Sequence, residues 1–277
     1  METAAPAQKK DTENTLLSLR QVNYQYPGTR DKDGVTALQS ITLDVSEREF
    51  IGILGPSGCG KSTLLRIIAG FLHPTSGEVR MDGEVIKGPD WHRGVIFQSP
   101  TLYAWLNVKD NIAFGLKMRK IPVGERYTLT KKYIDLVGLT GFESNRPYEL
   151  SGGMKQRVAL ARTLVNHPRI LLMDEPFGAL DAFTRQNMQS LVRKIWHQTE
   201  NTVFLITHDV DEALRLATRI VVLSDRPGRI LDEFHADFTN RISAGDPELD
   251  GCRSEYRKLK KDILKLIHPP NENYSLE

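Results

Sequence analysis

The sequence is poor in the features that mark secreted, membrane-spanning and polyanion-binding proteins. Its 277 residues include two cysteines, Cys59 and Cys252, and their spacing suits neither a metal site nor a redox pair. Cys59 falls inside a glycine-rich stretch, so a disulfide is not expected and a reducing compartment fits. No apolar run approaches the roughly 20 residues that cross a bilayer. The first ten residues are polar and lack the apolar segment of a secretory signal. A formal net charge of +2 is too small to attract nucleic acid by bulk electrostatics, and no nucleic-acid partner is expected. No internal repeat is found. The remainder is an ordinary globular composition, 40% hydrophobic and 26% charged, long enough to bury a substantial core. A cytoplasmic chain is expected, with any membrane role carried by a partner.

Apolar patterning divides the chain. Residues 1–13 are polar and expected to be disordered. Strand-like alternation covers Leu16–Val22 and Ile41–Val45, separated by a turn-rich stretch at Gly28–Gly34. Short buried-strand patterns follow at Phe50–Leu54, Gly94–Phe97, Ile170–Met173, Val203–Ile206 and Ile220–Leu223, with a strand–turn segment near Glu78–Ile86. Helical patterns stand between these strands, which implies an α/β fold with a mostly parallel sheet. From Asn107 to Leu164 the pattern is mainly helical, broken at Pro122, Gly138 and Pro147, and reads as an inserted subdomain. Beyond about residue 236 the chain is polar, with a Lys-rich helix at Ser254–Ile267 and a Pro-Pro tail.

Gly55-Pro56-Ser57-Gly58-Cys59-Gly60-Lys61-Ser62 fits the phosphate-loop pattern G-x-x-x-x-G-K-[ST], placed after a buried strand and before a helix at Leu64–Ala69. Small residues let the backbone wrap phosphates, so that successive N–H groups and the helix N-terminus face the negative charge. Lys61 is expected to reach the β- and γ-phosphates of ATP and Ser62 to ligate Mg²⁺, with Thr63 adding a hydroxyl. The G-x-G-x-x-G order of a dinucleotide fold is absent. Ile170–Met173 lead into Asp174-Glu175, which puts two carboxylates at the carboxyl edge of a parallel strand. Asp174 suits Mg²⁺ and Glu175 suits the attacking water. His208 and Gln98 follow other strands at the same edge. His208 reads either as a donor to the γ-phosphate or as an exposed residue beside a helix cap made by Thr207 or Asp209. Gln98 reads either as a ligand of Mg²⁺ or the attacking water, or as a surface glutamine.

Leu150-Ser151-Gly152-Gly153-Met154-Lys155-Gln156-Arg157 resembles the signature sequence of ATP-binding-cassette (ABC) transporter ATPases, whose members carry the other motifs in this order. Ser151 and two glycines at a helix start make a second anion site. Met154 departs from the glutamine common there but leaves Ser151 and Gly153 in place. The resemblance spans about residues 16–236. It implies a P-loop NTPase (RecA-like) core of mixed sheet at 14–98 and 167–236 with an N-terminal antiparallel β portion. It further implies a helical subdomain at 99–166 and a tail at 237–277. In this family two copies pack head to tail, each signature capping the ATP held by its partner. Tyr26 then matches the residue that stacks on adenine, and Ala179-Leu180-Asp181 the loop that touches the opposite subunit.

Trp91–Gln98, Trp105–Ile112, Asp174–Arg185 and Ser224–Ile230 resemble the nitrate/sulfonate/taurine importer group. That implies two such ATPases on the cytoplasmic face of the inner membrane, two permeases and an external solute-binding protein. Tyr103-Ala104 stands where relatives often have Leu-Pro. Leu102, Tyr103, Trp105 and Phe114 are read as a groove for a permease helix or as subdomain core, with Tyr103 and Trp105 the exposed pair. An exporter ATPase, a soluble ABC-type ATPase and a nucleotide sensor without turnover are the competing readings.

Overall fold

The computed structural model describes residues 14–28, 34–199, 201–236, 238–241 and 252–267. The expectations for residues 1–13, for residues 29–33 of the first turn and for the Pro-Pro tail lie outside these. Two sheets form the chain. In the first, β1 (Thr15–Tyr26) pairs with β2 (Val35–Ser46) and β4 (Ser76–Met81), and β5 (Glu84–Val85) closes the edge in the order β2-β1-β4-β5, all antiparallel. Both long strands exceed the segments read from alternation. Register irregularities between Leu19 and Gln25, with Gln21 at φ 48°, break the two-residue period that marks a strand.

The second sheet contains β3 (Phe50–Leu54), β6 (Arg93–Ile96), β7 (Ile170–Asp174), β8 (Thr202–Ile206), β9 (Arg219–Leu223) and β10 (Ile230–His235), in the order β10-β9-β3-β8-β7-β6. Every pairing is parallel except β10 against β9, which makes the sheet mixed as expected. All five residues of β3, β8 and β9 are buried, as unbroken apolar runs in a covered sheet require. β10 was not expected. Its sequence Ile-Leu-Asp-Glu-Phe-His carries acids in mid-run and pairs on one side only, an edge strand tolerated because its polar residues face solvent.

Helices α5 (Ala182–Thr199) and α6 (Val210–Leu216) connect β7 to β8 and β8 to β9, and α1 (Lys61–Ile68) leads from β3 to β4, while α2 (Val108–Met118), α3 (Val123–Leu136) and α4 (Gly152–Leu164) pack on one another between β6 and β7. Fully buried Asn111 pins the segment before α2. Its Nδ2 donates to the carbonyls of Tyr103, Leu106 and Asn107, and its Oδ1 accepts from Tyr103 N at 2.9 Å. Trp105 is 69% exposed. Tyr103 is half-buried, with its ring 4.4 Å from Phe114 and 5.4 Å from Trp105, so only one of the expected exposed pair stands clear of the surface.

The last described helices, α7 (Phe238–Arg241) and α8 (Arg253–Ile267), are packed onto the body. Phe238, Cys252, Tyr256 and Ile263 belong to the main core cluster, and α8 contacts α6 and β9. Tyr256 Oη donates to Asp211 Oδ1 at 2.8 Å and Lys260 Nζ to Asp211 Oδ2 at 2.7 Å. Arg257, Lys258 and Lys261 form the exposed face of α8. The helix is thus a strap packed on α6 and β9. Cys59 and Cys252 are both buried. Among the described residues no helix is long and apolar enough to cross a membrane.

Candidate nucleotide site

Strand order alone gathers the candidate residues. β3, β8 and β7 are neighbours and run parallel, so the loop after β3, the Asp174-Glu175 pair ending β7 and His208 after β8 emerge at one edge of the sheet. Gln98 follows β6, the next strand along. This is the edge at which open parallel sheets bind ligands.

The loop after β3 takes the cradle shape that its glycines permit. Gly60 stands at φ 104° as the residue before α1, and a Cβ there would lie 2.7 Å from the Ala37 carbonyl oxygen. No side chain can replace that hydrogen without moving the backbone. Lys61 is 6% exposed, and its Nζ donates to the carbonyls of Gly55 at 2.7 Å and Pro56 at 2.8 Å. The ammonium is thereby held within the loop, where phosphate oxygens are better partners for it than carbonyls. Ser57, Gly58, Gly60, Lys61, Ser62 and Thr63 face a cavity of about 470 Å³, within the range of small-molecule sites. Cys59 is fully buried behind it, and burial raises its thiol pKa against the pull of Lys61.

Ser62 Oγ donates to Asp174 Oδ1 at 3.0 Å. Burial lifts the Asp174 carboxyl above its ordinary range, with the Ser62 hydroxyl opposing the shift. A half-buried carboxylate beside a hydroxyl at a phosphate cradle is a hard-oxygen donor set. It fits Mg²⁺, which takes one or two protein ligands and the rest from phosphate and water. Glu175 faces the same cavity, with its backbone in the left-handed region at φ 45°. His208 Nδ1 lies 3.2 Å from Glu175 Oε2 with the imidazole largely exposed. Asp209, not His208 or Thr207, caps α6, accepting from Asp211 N at 2.9 Å and Glu212 N at 3.2 Å. The reading of an exposed His208 beside an Asp209 cap is what this turn shows.

Tyr26 lines the cavity opposite the loop, and its hydroxyl is 3.0 Å from Thr63 Oγ1. Val35 and Ala37 complete that wall. Gln98 does not line the cavity. It is exposed, and its amide nitrogen sits near Gly178, where an added Cβ would be 3.5 Å from it and 3.9 Å from Glu175 Oε2. Ser151, Gly152 and Gly153 also stand apart from it. Ser151 caps α4 through Met154 N at 3.3 Å, and Ser151 and Gly152 are exposed. Gly153 leaves no room for a Cβ, which would strike Thr184 Cγ2 at 2.4 Å. This chain therefore presents one phosphate cradle in a cavity and a second, open helix start facing solvent.

Val35, Ala37 and Arg226 line the cavity without having been singled out as site residues from the sequence. Arg226, in the turn between β9 and β10, reaches the loop and donates from Nε to the Gly58 carbonyl at 3.2 Å. The turn is locked beside the loop by Gly228 N donating to Ala37 O at 2.9 Å and Gln39 N donating to Gly228 O at 3.0 Å.

Comparison with known proteins agrees with this geometry. The ABC transporter family model matches residues 38–178. The chain is 48% identical over 267 residues to an uncharacterized ABC transporter ATP-binding protein of Methanocaldococcus jannaschii, covering 96% of this chain and 97% of that one. It is 49% identical over 235 residues to the taurine import ATP-binding protein TauB of Roseobacter denitrificans, covering 85% and 88% of the two chains. Among solved structures, a dimeric post-hydrolysis state of an ATP-binding cassette bound to ADP and Pi is similar, with a TM-score of 0.70 and 32% identity. That match covers 80% of this chain and 99% of the other. The chain belongs to the ABC transporter family and is one of its ATP-binding, ATP-hydrolysing subunits.

Proposed function

We propose that this subunit powers an importer of small sulfonate-like solutes, with taurine the first candidate, and that its residues act as follows. Tyr26 stacks on adenine, the loop Gly55–Thr63 wraps the phosphates, and Lys61 exchanges its carbonyl partners for β- and γ-phosphate oxygens. Ser62, Asp174 and, once the loop after β6 moves inward, Gln98 hold Mg²⁺, which neutralises developing charge on the phosphates. Glu175 takes a proton from water as the water oxygen bonds to the γ-phosphorus and the bond to the ADP oxygen breaks. His208 steadies the γ-phosphate from its position against Glu175.

Ser151, Gly152 and Gly153 serve the partner's nucleotide. Their place outside their own cavity supports this, with Ser151 and Gly152 exposed at a helix start whose N–H groups favour an anion. ATP then joins two copies and hydrolysis releases them. Residues 99–166 form the helical unit that receives a permease at the exposed Trp105 and half-buried Tyr103. The subunit sits on the cytoplasmic side of the membrane, and an external solute-binding protein delivers the cargo. Support for import and for a taurine-like solute comes from the TauB relatives, 44 to 49% identical.

The Ser62–Asp174 hydrogen bond beside the Lys61-centred cradle is the observation that carries the hydrolytic reading. Reconstitution with the permease and binding protein, followed by ATP-dependent uptake of labelled taurine, tests the transport reading. Uptake of an unrelated solute in place of taurine would overturn it.

A further inference from the structure

Glu175 also lines a second, smaller cavity of about 50 Å³, with Arg185, Thr207, His208, Asp209 and Glu212. That is room for about one or two ordered waters, provided the walls offer enough polar partners. They do. Arg185 Nε is buried and has no partner among the described residues, while Arg185 Nη2 is already taken by the Leu180 carbonyl at 3.0 Å. Glu212 is 5% exposed, and its Oε2 accepts from Gln189 Nε2 at 3.2 Å. An orphan donor, a buried carboxyl and the Glu175 carboxylate thus face one small polar space that apolar side chains do not fill.

We propose that Glu212 is a positioning residue for ATP hydrolysis, acting on Glu175 through water held between Glu212, Arg185 and Glu175. The inference rests on the reading of Glu175 as the base. Such water accepts from Arg185 Nε–H and from the Glu212 hydroxyl hydrogen, and donates to the Glu175 carboxylate. These contacts hold Glu175 on the side from which it meets the attacking water.

The scheme needs Glu212 in its neutral form, and its surroundings favour that form. Burial pushes the Glu212 carboxyl up to about 7, with Asp209 adding to the shift and Thr207, Gln189 and Arg185 opposing it. Among the described residues, the charged and titratable groups facing it are Asp209 at the cap of its own helix, Arg185 of α5, and Glu175 and His208 at the strand ends. Asp211, one residue away, is engaged by Tyr256 and Lys260 of α8. Once Glu212 ionises, two carboxylates compete for one water with a single guanidinium between them, and the hold on Glu175 loosens. Turnover should therefore fall as pH rises through about 7, with ATP affinity little changed.

Steady-state phosphate release by the full-length chain with Mg-ATP tests this, measured from about pH 6 to about pH 9 for wild type, E212Q, E212A and E175Q. E212Q keeps a neutral, hydrogen-bonding side chain. It is expected to hold kcat within roughly two-fold of wild type near pH 6.5 and to lose the alkaline decline. E212A is expected to lower kcat roughly ten-fold with KM for ATP within roughly two-fold. An alkaline limb that persists unchanged in E212Q, or a wild-type kcat in E212A, overturns the proposal. E212Q carries the test should E212A fold poorly. Wild-type turnover by E175Q would instead remove the base assignment, whatever Glu212 does.

Discussion

Ser62 Oγ and Asp174 Oδ1 stand 3.0 Å apart although 112 residues separate them in the chain, because β3 and β7 flank β8 and end at one edge. This contact joins the phosphate cradle to the carboxylate pair. Removing the hydroxyl in Ser62→Ala takes away a donor from a half-buried carboxyl whose pKa burial already raises. A hydrogen bond to a charged group contributes about 1.5–3 kcal/mol. Mg²⁺-dependent ATP binding, measured by titration calorimetry, should weaken roughly ten-fold or more, while metal-free binding changes less.

Lys61 is the charge at the centre of the loop. Lys61→Ala leaves the Gly55 and Pro56 carbonyls without their donor and the phosphates without their cation. Fluorescent ATP-analogue binding should fall at least ten-fold, with the melting temperature of the nucleotide-free chain within a few degrees of wild type.

Stacking and hydrogen bonding at Tyr26 can be separated. Its ring faces the cavity and its hydroxyl meets Thr63 Oγ1 at 3.0 Å. Base–aromatic stacking contributes about 1–3 kcal/mol per base. Tyr26→Ala should raise KM for ATP roughly ten-fold at near-constant kcat, and Tyr26→Phe should leave both close to wild type. An equal effect of both variants would assign the contribution to the hydroxyl.

The raised Glu212 pKa also has a stability consequence. A carboxyl whose folded pKa lies near 7 and whose unfolded value is near 4.5 contributes most below the lower value. That contribution is lost as pH climbs through the interval between them. Glu212→Gln removes the dependence, so its stability relative to wild type should rise between about pH 4.5 and about pH 7 and then level off. The total gain is on the order of 3 kcal/mol, read from urea unfolding at a series of pH values.

The C-terminal strap should be structural. Tyr256 is 2% exposed, packs on Phe238 and donates to Asp211. Tyr256→Ala should cost about 3 kcal/mol or more, seen by calorimetry as a drop in melting temperature of roughly 10 °C.

The features legible from sequence are those whose chemistry needs contiguous residues. The loop Gly55–Ser62, the pair Asp174-Glu175 and the signature Leu150–Gly153 each carry their geometry within one turn of chain, so spacing suffices. Arg226 and Glu212 were illegible for the opposite reason. Arg226 acts on Gly58 from 168 residues away, and Glu212 reads locally as an ordinary acid in the first turn of a helix. Only the packing of α5 and the end of β7 against it shows that it is buried. The tail offered a signal that its basic residues masked. Tyr256, Leu259, Ile263 and Leu266 fall on one helical stripe, and Tyr256 and Ile263 are buried with the other two half-buried against the core. Gln98 was placed at the correct edge, yet its side chain lies by Gly178 and outside the cavity that Ser62 lines, a distinction strand order cannot make.

Light scattering on Glu175→Gln with Mg-ATP, alone and combined with Ser151→Arg, reports whether the cradle of one copy and the exposed Ser151 of another engage one ATP. An ATP-dependent dimer is expected for the single variant, and a chain that binds ATP but remains monomeric for the double variant. Dimers of equal stability in both would show that Ser151 takes no part in joining the copies.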